Sequence, residues 1–232
     1  AQPDYGYITN FGKAHLEGFG GVEGVIKGKS EMYDYLIKNS KKVVVNLDDP
    51  IQSTKTVQME QITFSTTNPN SYVFIKNVEA NPFVKVKFEE IEIQSNLIGL
   101  YNATNINAAI TLGKYFKVPM QDCKQALENY QPDNNRSQII HKNSNEIILD
   151  AYNANPSSME VALQNFIQLE NESKIAVLGD MFELGEESSL EHRNIIKKLS
   201  STANFNCYLV GKEFYTVKED HQNLHFFITY DE

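Results

Sequence analysis

Apolar residues fall at Val22, Val25, Ile26, Met32, Tyr33, Leu36 and Ile37, three and four apart, and predict an amphipathic helix that runs to Lys38 with its stripe turned toward a core. On either side, Tyr5–Thr9 and the compact run Lys42–Asn46 read as strands, which makes a β-loop-α-β unit and favours a parallel sheet. From Val57 to Asn96 the pattern changes to alternating segments, Ile62–Ser65, Tyr72–Val78 and Val84–Ile93, divided by Asn, Pro and Ser; these predict antiparallel strands. Helices return at Asn102–Phe116, with Ile106, Ala109, Ile110 and Gly113 on one face, and at Met120–Tyr130 after Pro119.

The polar run Gln131–Asn135 then reads as a boundary between two domains, 1–132 and 133–232. Beyond it, strands at Ile139–Ile140, Glu146–Asp150, Lys174–Gly179 and Asn206–Gly211 alternate with helices from Pro156 and over Ser189–Leu199. That order predicts a doubly wound, Rossmann-like α/β domain, and the chain stops just past a further strand-like run at Phe226.

Lys29 sits in the middle of the apolar stripe of the first helix. An ammonium enclosed in hydrocarbon without a partner is unfavourable, so two readings stand: the stem packs while the head reaches water, or the amine is chemically altered or held beside a polyanion. Lys27 is out of phase with the stripe and reads as a solvated charge. The run Gly24-Val-Ile-Lys-Gly-Lys-Ser30 looks like a phosphate-binding P-loop, but only three residues separate its glycines where that loop needs four, and its apolar spacing is helical.

A net charge of -9 and a pI near 5.1 argue against a nucleic-acid partner. Cys123 and Cys207 lie in unrelated segments with neither metal-ligand spacing nor a disulfide framework, which suits a reducing cytosol. No apolar run approaches the roughly 18 residues of a membrane helix, so a cytoplasmic protein with no membrane insertion is expected.

Candidate chemistry gathers where strands give way to loops, the usual place for ligands in α/β sheets. His15, near Glu17 and among glycines 12, 18, 20 and 21, reads as a metal ligand, an acid/base group or a hydrogen-bonded loop histidine. Asn102 and Asn105 at a helix start offer the donors and acceptors that read a purine edge, or one of them caps the helix. Asp150-Ala-Tyr-Asn-Ala-Asn-Pro156 packs a carboxylate, a phenol and two amides into one turn; turn chemistry accounts for Asn and Pro, while Tyr152 suggests binding. Leu178-Gly-Asp-Met-Phe-Glu-Leu-Gly185 is placed alike, with Asp180 just past a strand and His192 and Arg193 on the next helix.

Together, Thr9-Asn-Phe-Gly-Lys-Ala-His-Leu-Glu-Gly-Phe-Gly-Gly21, the Asn102/Asn105 pair and the two turns resemble the Mur ligases, above all the member that adds D-alanyl-D-alanine to UDP-N-acetylmuramoyl-tripeptide. The resemblance implies the later part of a central ATPase domain, a parallel sheet plus a small antiparallel region, followed by a Rossmann-like C-terminal domain lacking its end. It implies a monomeric ATP-dependent amide ligase of peptidoglycan synthesis that works through an acyl phosphate with Mg2+. Lys29 matches a lysine carbamylated in the family, and His15 a histidine on the same metal. Asn102 and Asn105 match residues at adenine, Asp150 one at ribose, Arg136 an arginine near the phosphates, and Tyr152, Asn153 and Asn155 substrate contacts. Because the family's P-loop, magnesium-binding glutamate and uridine-diphosphate domain precede the matching segment, the chain is expected to be an inactive fragment. A non-catalytic binding module and a folylpolyglutamate-synthase-like ligase are the alternatives.

Overall fold

The computed structural model describes residues 2–133, 135–171 and 173–231. Ala1, Asn134 in the polar run and Glu232 at the end of the last strand-like run therefore lie outside the described residues. The chain forms two compact units, residues 1–11 with 26–150 and residues 12–25 with 151–232.

In chain order the elements begin with β1 (Tyr5–Tyr7), α1 (Leu16–Phe19), α2 (Val22–Lys38), β2 (Lys42–Asn46), α3 (Pro50–Lys55) and β3 (Glu60–Ser65). They continue with β4 (Val73–Ala80), β5 (Phe83–Phe88), β6 (Ile91–Ile98), α4 (Tyr101–Tyr115) and α5 (Met120–Asn129). The hairpin β7 (Gln138–Lys142) and β8 (Asn145–Leu149) follows, then α6 (Pro156–Gln168), β9 (Ile175–Gly179) and α7 (Ser188–Thr202). The last are β10 (Asn206–Val210), α8 (Lys212–Thr216) and β11 (Leu224–Phe227).

The first unit is built on a six-stranded sheet in the order β1-β2-β3-β4-β5-β6, parallel from β1 to β4 and antiparallel from β4 to β6. Val43, Val44 and Val45 are all at most 1% exposed, as a parallel strand covered on both faces requires. Val43 and Val45 pack with Tyr33 and Leu36 of α2, while Val44 packs with Ile106 and Ile110 of α4, so each helix covers one face.

Three details depart from the reading of the sequence. The strand at Ile62–Ser65 is parallel to β2, because α3 supplies the crossover; Asp49 caps that helix through the Ile51 and Gln52 amides and Pro50 opens it. Val84–Ile93 is two strands, since the polar pair Glu89-Glu90 turns the chain so that Phe88 faces Ile91, with Glu89 at φ 52°. Ala109 and Ile37 lie on exposed faces, and Ala103 takes the inward place in α4.

The second unit holds a parallel sheet in the order β11-β10-β9. Alternation puts Ala176, Cys207, Leu209 and Leu224 into a core with Leu163 of α6 and Ile195, Ile196 and Leu199 of α7. Leu16, Val22 and Val25 belong to the same core, so the glycine-flanked segment 12–25 is pinned by its apolar residues. Both cysteines are buried free thiols, as their spacing suggested.

Candidate functional site

In the first unit, Lys29 is half-buried and its Nζ donates to the Asn10 carbonyl at 2.9 Å, in the loop that follows β1. Burial lowers the pKa of this amine and so favours its neutral form. The head group is thus engaged by backbone at an exposed hydrogen bond.

The residues expected around a nucleotide are linked to one another. Asn102 is buried in the first turn of α4, donates from Nδ2 to the Ile98 carbonyl at 2.8 Å and accepts from exposed Asn105 Nδ2 at 3.3 Å. It is not the helix cap, since Leu100 holds that place, and Gly99 at φ 85° makes the turn from β6. Beside it, the Tyr101 hydroxyl bonds Ser137 Oγ, and the Ser137 amide donates to Asp150 Oδ1 at 3.3 Å. Asp150 keeps an exposed edge, yet the protein packed around its carboxylate pushes the pKa up against the Ser137 amide and the nearby Arg136 guanidinium. The unforeseen members are Tyr101, whose phenol burial also pushes up, and Ser137, 4% exposed at φ 51°.

The second unit seats His15 and the turns after β8 and β9. His15 lies in the left-handed region at φ 55° just before α1, where Phe19 N donates to its carbonyl at 3.2 Å. Its Nδ1 meets Glu183 Oε2, whereas Glu17, its neighbour in sequence, donates its backbone N–H to the Glu183 carbonyl at 3.0 Å. Folding therefore joins the His15 loop to the Leu178–Gly185 motif. Nearby, Lys13 Nζ pairs with Glu191 Oε1 at 2.6 Å and Lys13 N donates to Ser157 Oγ at 2.8 Å.

The Glu191 hydrogen bond pushes the Lys13 pKa up, so this attraction persists at neutral pH and is lost only as strongly alkaline pH removes the lysine proton. Glu191 is 6% exposed, and Glu191→Ala removes the acceptor that fixes Lys13. A loss of about 1–3 kcal/mol is expected in urea unfolding at neutral pH, with the difference from wild type shrinking above the lysine range.

Asp180 turns out to be structural: its oxygens accept from Glu213 N at 2.9 Å and Phe214 N at 3.0 Å and so cap α8. His192 is buried behind it, accepting from Met181 N at 3.1 Å on Nε2 and donating from Nδ1 to the Ser188 carbonyl at 2.8 Å. In the turn after β8, Asn155 and Ser158 form a capping box for α6, and Asn153 Oδ1 accepts from Ala154 N at 2.9 Å. Tyr152 is 63% exposed. Turn chemistry thus uses both asparagines, and Tyr152, like Asn153, is exposed.

Among the described residues, no three His, Cys, Asp or Glu side chains converge in a metal-binding group. The Lys29 amine, whose neutral form burial favours, is a group that carbamylation would turn into an oxygen donor of the kind a hard cation prefers. Also among the described residues, no helix is long and apolar enough to cross a membrane.

A unit whose sheet is parallel from β1 to β4 and antiparallel beyond it, and a second unit with a parallel sheet, define an α/β protein, a class in which ligands are usually met beyond strand ends. Comparison places it further. Residues 1–113 match the Mur ligase middle domain, and residues 135–224 match the Mur ligase, glutamate ligase domain. The UDP-N-acetylmuramoyl-tripeptide--D-alanyl-D-alanine ligase of Bacillus subtilis (strain 168) is 31% identical over 197 residues, 83% of this chain and 43% of that protein. The crystal structure of MurF from Acinetobacter baumannii superposes with a TM-score of 0.84 at 27% identity, over 97% of this chain and 51% of that one. MurF from Thermotoga maritima, crystallised in complex with ADP, shares the fold with a TM-score of 0.81 at 22% identity, over 98% and 53%. The chain belongs to the Mur ligase family, of which it carries the middle and C-terminal domains. It spans about half the length of the curated relatives it matches.

Proposed function

We propose that this chain is the central and C-terminal part of a cytoplasmic, monomeric ligase that uses ATP to join D-alanyl-D-alanine to UDP-N-acetylmuramoyl-tripeptide in peptidoglycan synthesis. The observation that carries the reading is the bonded series from Asn105 and Asn102, past Tyr101 and Ser137, to Asp150, which holds amide groups and a carboxylate in one polar network. The name of the Bacillus subtilis relative and the ADP bound to the Thermotoga maritima structure support it. So do the two family matches, residues 1–113 to the Mur ligase middle domain and residues 135–224 to the Mur ligase, glutamate ligase domain.

In this reading Asn102 and Asn105 face adenine, Asp150 accepts from the ribose hydroxyls, and Arg136 stabilises phosphate charge as the γ-phosphoryl group moves. A tripeptide carboxylate oxygen attacks the γ-phosphorus and ADP leaves. The amine of D-alanyl-D-alanine then attacks the acyl carbon, phosphate departs, and the amine's proton passes to solvent. Magnesium, when bound, neutralises phosphate charge. Carbamylated Lys29 would offer a cation an oxygen, and His15 would offer a cation an imidazole nitrogen. The carbamate forms when the neutral Lys29 amine attacks carbon dioxide and releases a proton, and its lowered pKa favours that form. Tyr152, Asn153 and Asn155 are assigned to the peptide substrate.

The 232-residue chain contains no loop of P-loop spacing, and positioning the triphosphate is most of phosphoryl-transfer catalysis. Calorimetry of this chain with ATP and magnesium is expected to show little or no binding and no phosphate release. Tight binding or turnover by the chain alone would overturn that part of the proposal. When the same residues are tested within a protein that also carries such a loop, activity with glutamate and none with D-alanyl-D-alanine would shift the substrate assignment to a folate-type ligase.

A further inference from the structure

We infer that Glu183 is a positioning residue for His15: its carboxylate holds the imidazole by Nδ1, fixes the proton there, and presents the Nε2 lone pair outward for a cation. The inference rests on the proposed role of His15 as a cation ligand and adds a residue to it.

The contact joins two loops whose backbones are already fixed within the second unit. On one side, His15 is locked at φ 55°, its carbonyl accepts from Phe19 N, and the next residue, Leu16, is 2% exposed in the core. On the other, Glu183 sits at φ 60° between Phe182 and core residue Leu184, with Met181 also in that core. The Glu17 amide ties the two strings of backbone together through the Glu183 carbonyl. Two left-handed non-glycine residues facing one another are an uncommon expense of conformational energy, and such outliers gather at functional sites.

As a stability device the pair is poor. Both side chains are more than half exposed, at 56% and 58%, and exposed ion pairs contribute about 0–1 kcal/mol at best. What it does settle is the ring. A carboxylate on Nδ1 makes that nitrogen the donor, leaves Nε2 as the acceptor on the opposite edge, and biases the ring toward one rotamer. Histidines that ligate metals through one nitrogen are held in this way through the other, and loss of the outer partner typically weakens metal binding about 10–100-fold.

The test reads the tautomer directly, without turnover and without metal. Long-range proton–nitrogen spectra of this chain, labelled with nitrogen-15 and recorded above the histidine titration range, report which ring nitrogen of each of its five histidines carries hydrogen. His15 is expected to carry it on Nδ1. In Glu183→Ala the ratio should reverse toward the Nε2–H form that free imidazole prefers, and Glu183→Gln, which keeps an acceptor oxygen, should restore much of the Nδ1–H form. Backbone amide spectra check that both variants fold. A His15 that is Nε2–H in the wild type, or a ratio unchanged in Glu183→Ala, overturns the proposal. Manganese(II) is then added as the paramagnetic probe. Broadening at His15 that weakens about tenfold or more in Glu183→Ala supports both steps. A tautomer that depends on Glu183 with no broadening at His15 supports the positioning contact and counts against the cation role beneath it.

Discussion

Lys29→Ala, made within a ligase-competent protein that contains this chain, is expected to lower kcat by on the order of a hundredfold to a thousandfold, the loss seen when one preorganised electrostatic group is removed from phosphoryl or acyl transfer. The physical basis is a half-buried amine that donates to the Asn10 carbonyl and whose pKa burial lowers. The lower that pKa, the larger the neutral fraction at a given pH, and only the neutral amine can attack carbon dioxide. Carbamylation should therefore persist to lower pH than it would on a fully solvated lysine. If the modified side chain works as an anion, formate or acetate should restore part of the activity of Lys29→Ala, whereas methylamine, which replaces the amine, should not. Rescue by the amine, or by neither with a fold that circular dichroism shows intact, would return Lys29 to a stem that packs and a head that bonds backbone.

The parts of the fold set by local chemistry were the parts legible from sequence. Val43–Val45 had to be a strand covered on both faces, and the stripe of α2 supplied one cover. The helix read as starting at Pro156 does start there, and Asn155 is its cap. The direction of pairing was less accessible. Ile62–Ser65 carries no mark of parallel or antiparallel partnership, and its direction depends on a six-residue helix whose Asp49-Pro50 start was the available signal. In the candidate site, the types of residue were legible and their partnerships were not. His15 lies two residues from Glu17, yet the chain's left-handed turn carries the ring to Glu183, 168 positions away. Ser137 gave no signal as a bland residue after Arg136; only folding shows its amide on Asp150 and its hydroxyl on Tyr101. Asp180 stands where α/β ligands are usually met, but the same position is also where a following helix needs a cap.

That cap leads to the second large effect, the expected loss of the second unit's stability in Gly211→Ala. Gly211 sits at φ 138°, a conformation that disfavours any side chain, and an added Cβ would run into the Asp180 carboxylate. Backbone strain contributes roughly 1–3 kcal/mol. Pushing Asp180 off the Glu213 and Phe214 amides adds about 1 kcal/mol for the lost cap, and it loosens Phe214, which is fully buried against His192. A total near 3 kcal/mol is a large share of the roughly 5–15 kcal/mol that holds a domain together. In calorimetric melting it should appear as a fall of about 10–20 °C in the transition of the second unit. Gly179→Ala is the control, because a Cβ there meets nothing within 4 Å, and its melting should stay close to wild type. Pairing Gly211→Ala with Asp180→Ala separates the causes: if the collision dominates, the second substitution removes the obstacle and the double variant is less destabilised than the two losses added together. Strict additivity would instead assign the effect of Gly211→Ala to its backbone angle alone, with Asp180 yielding freely to the new methyl group.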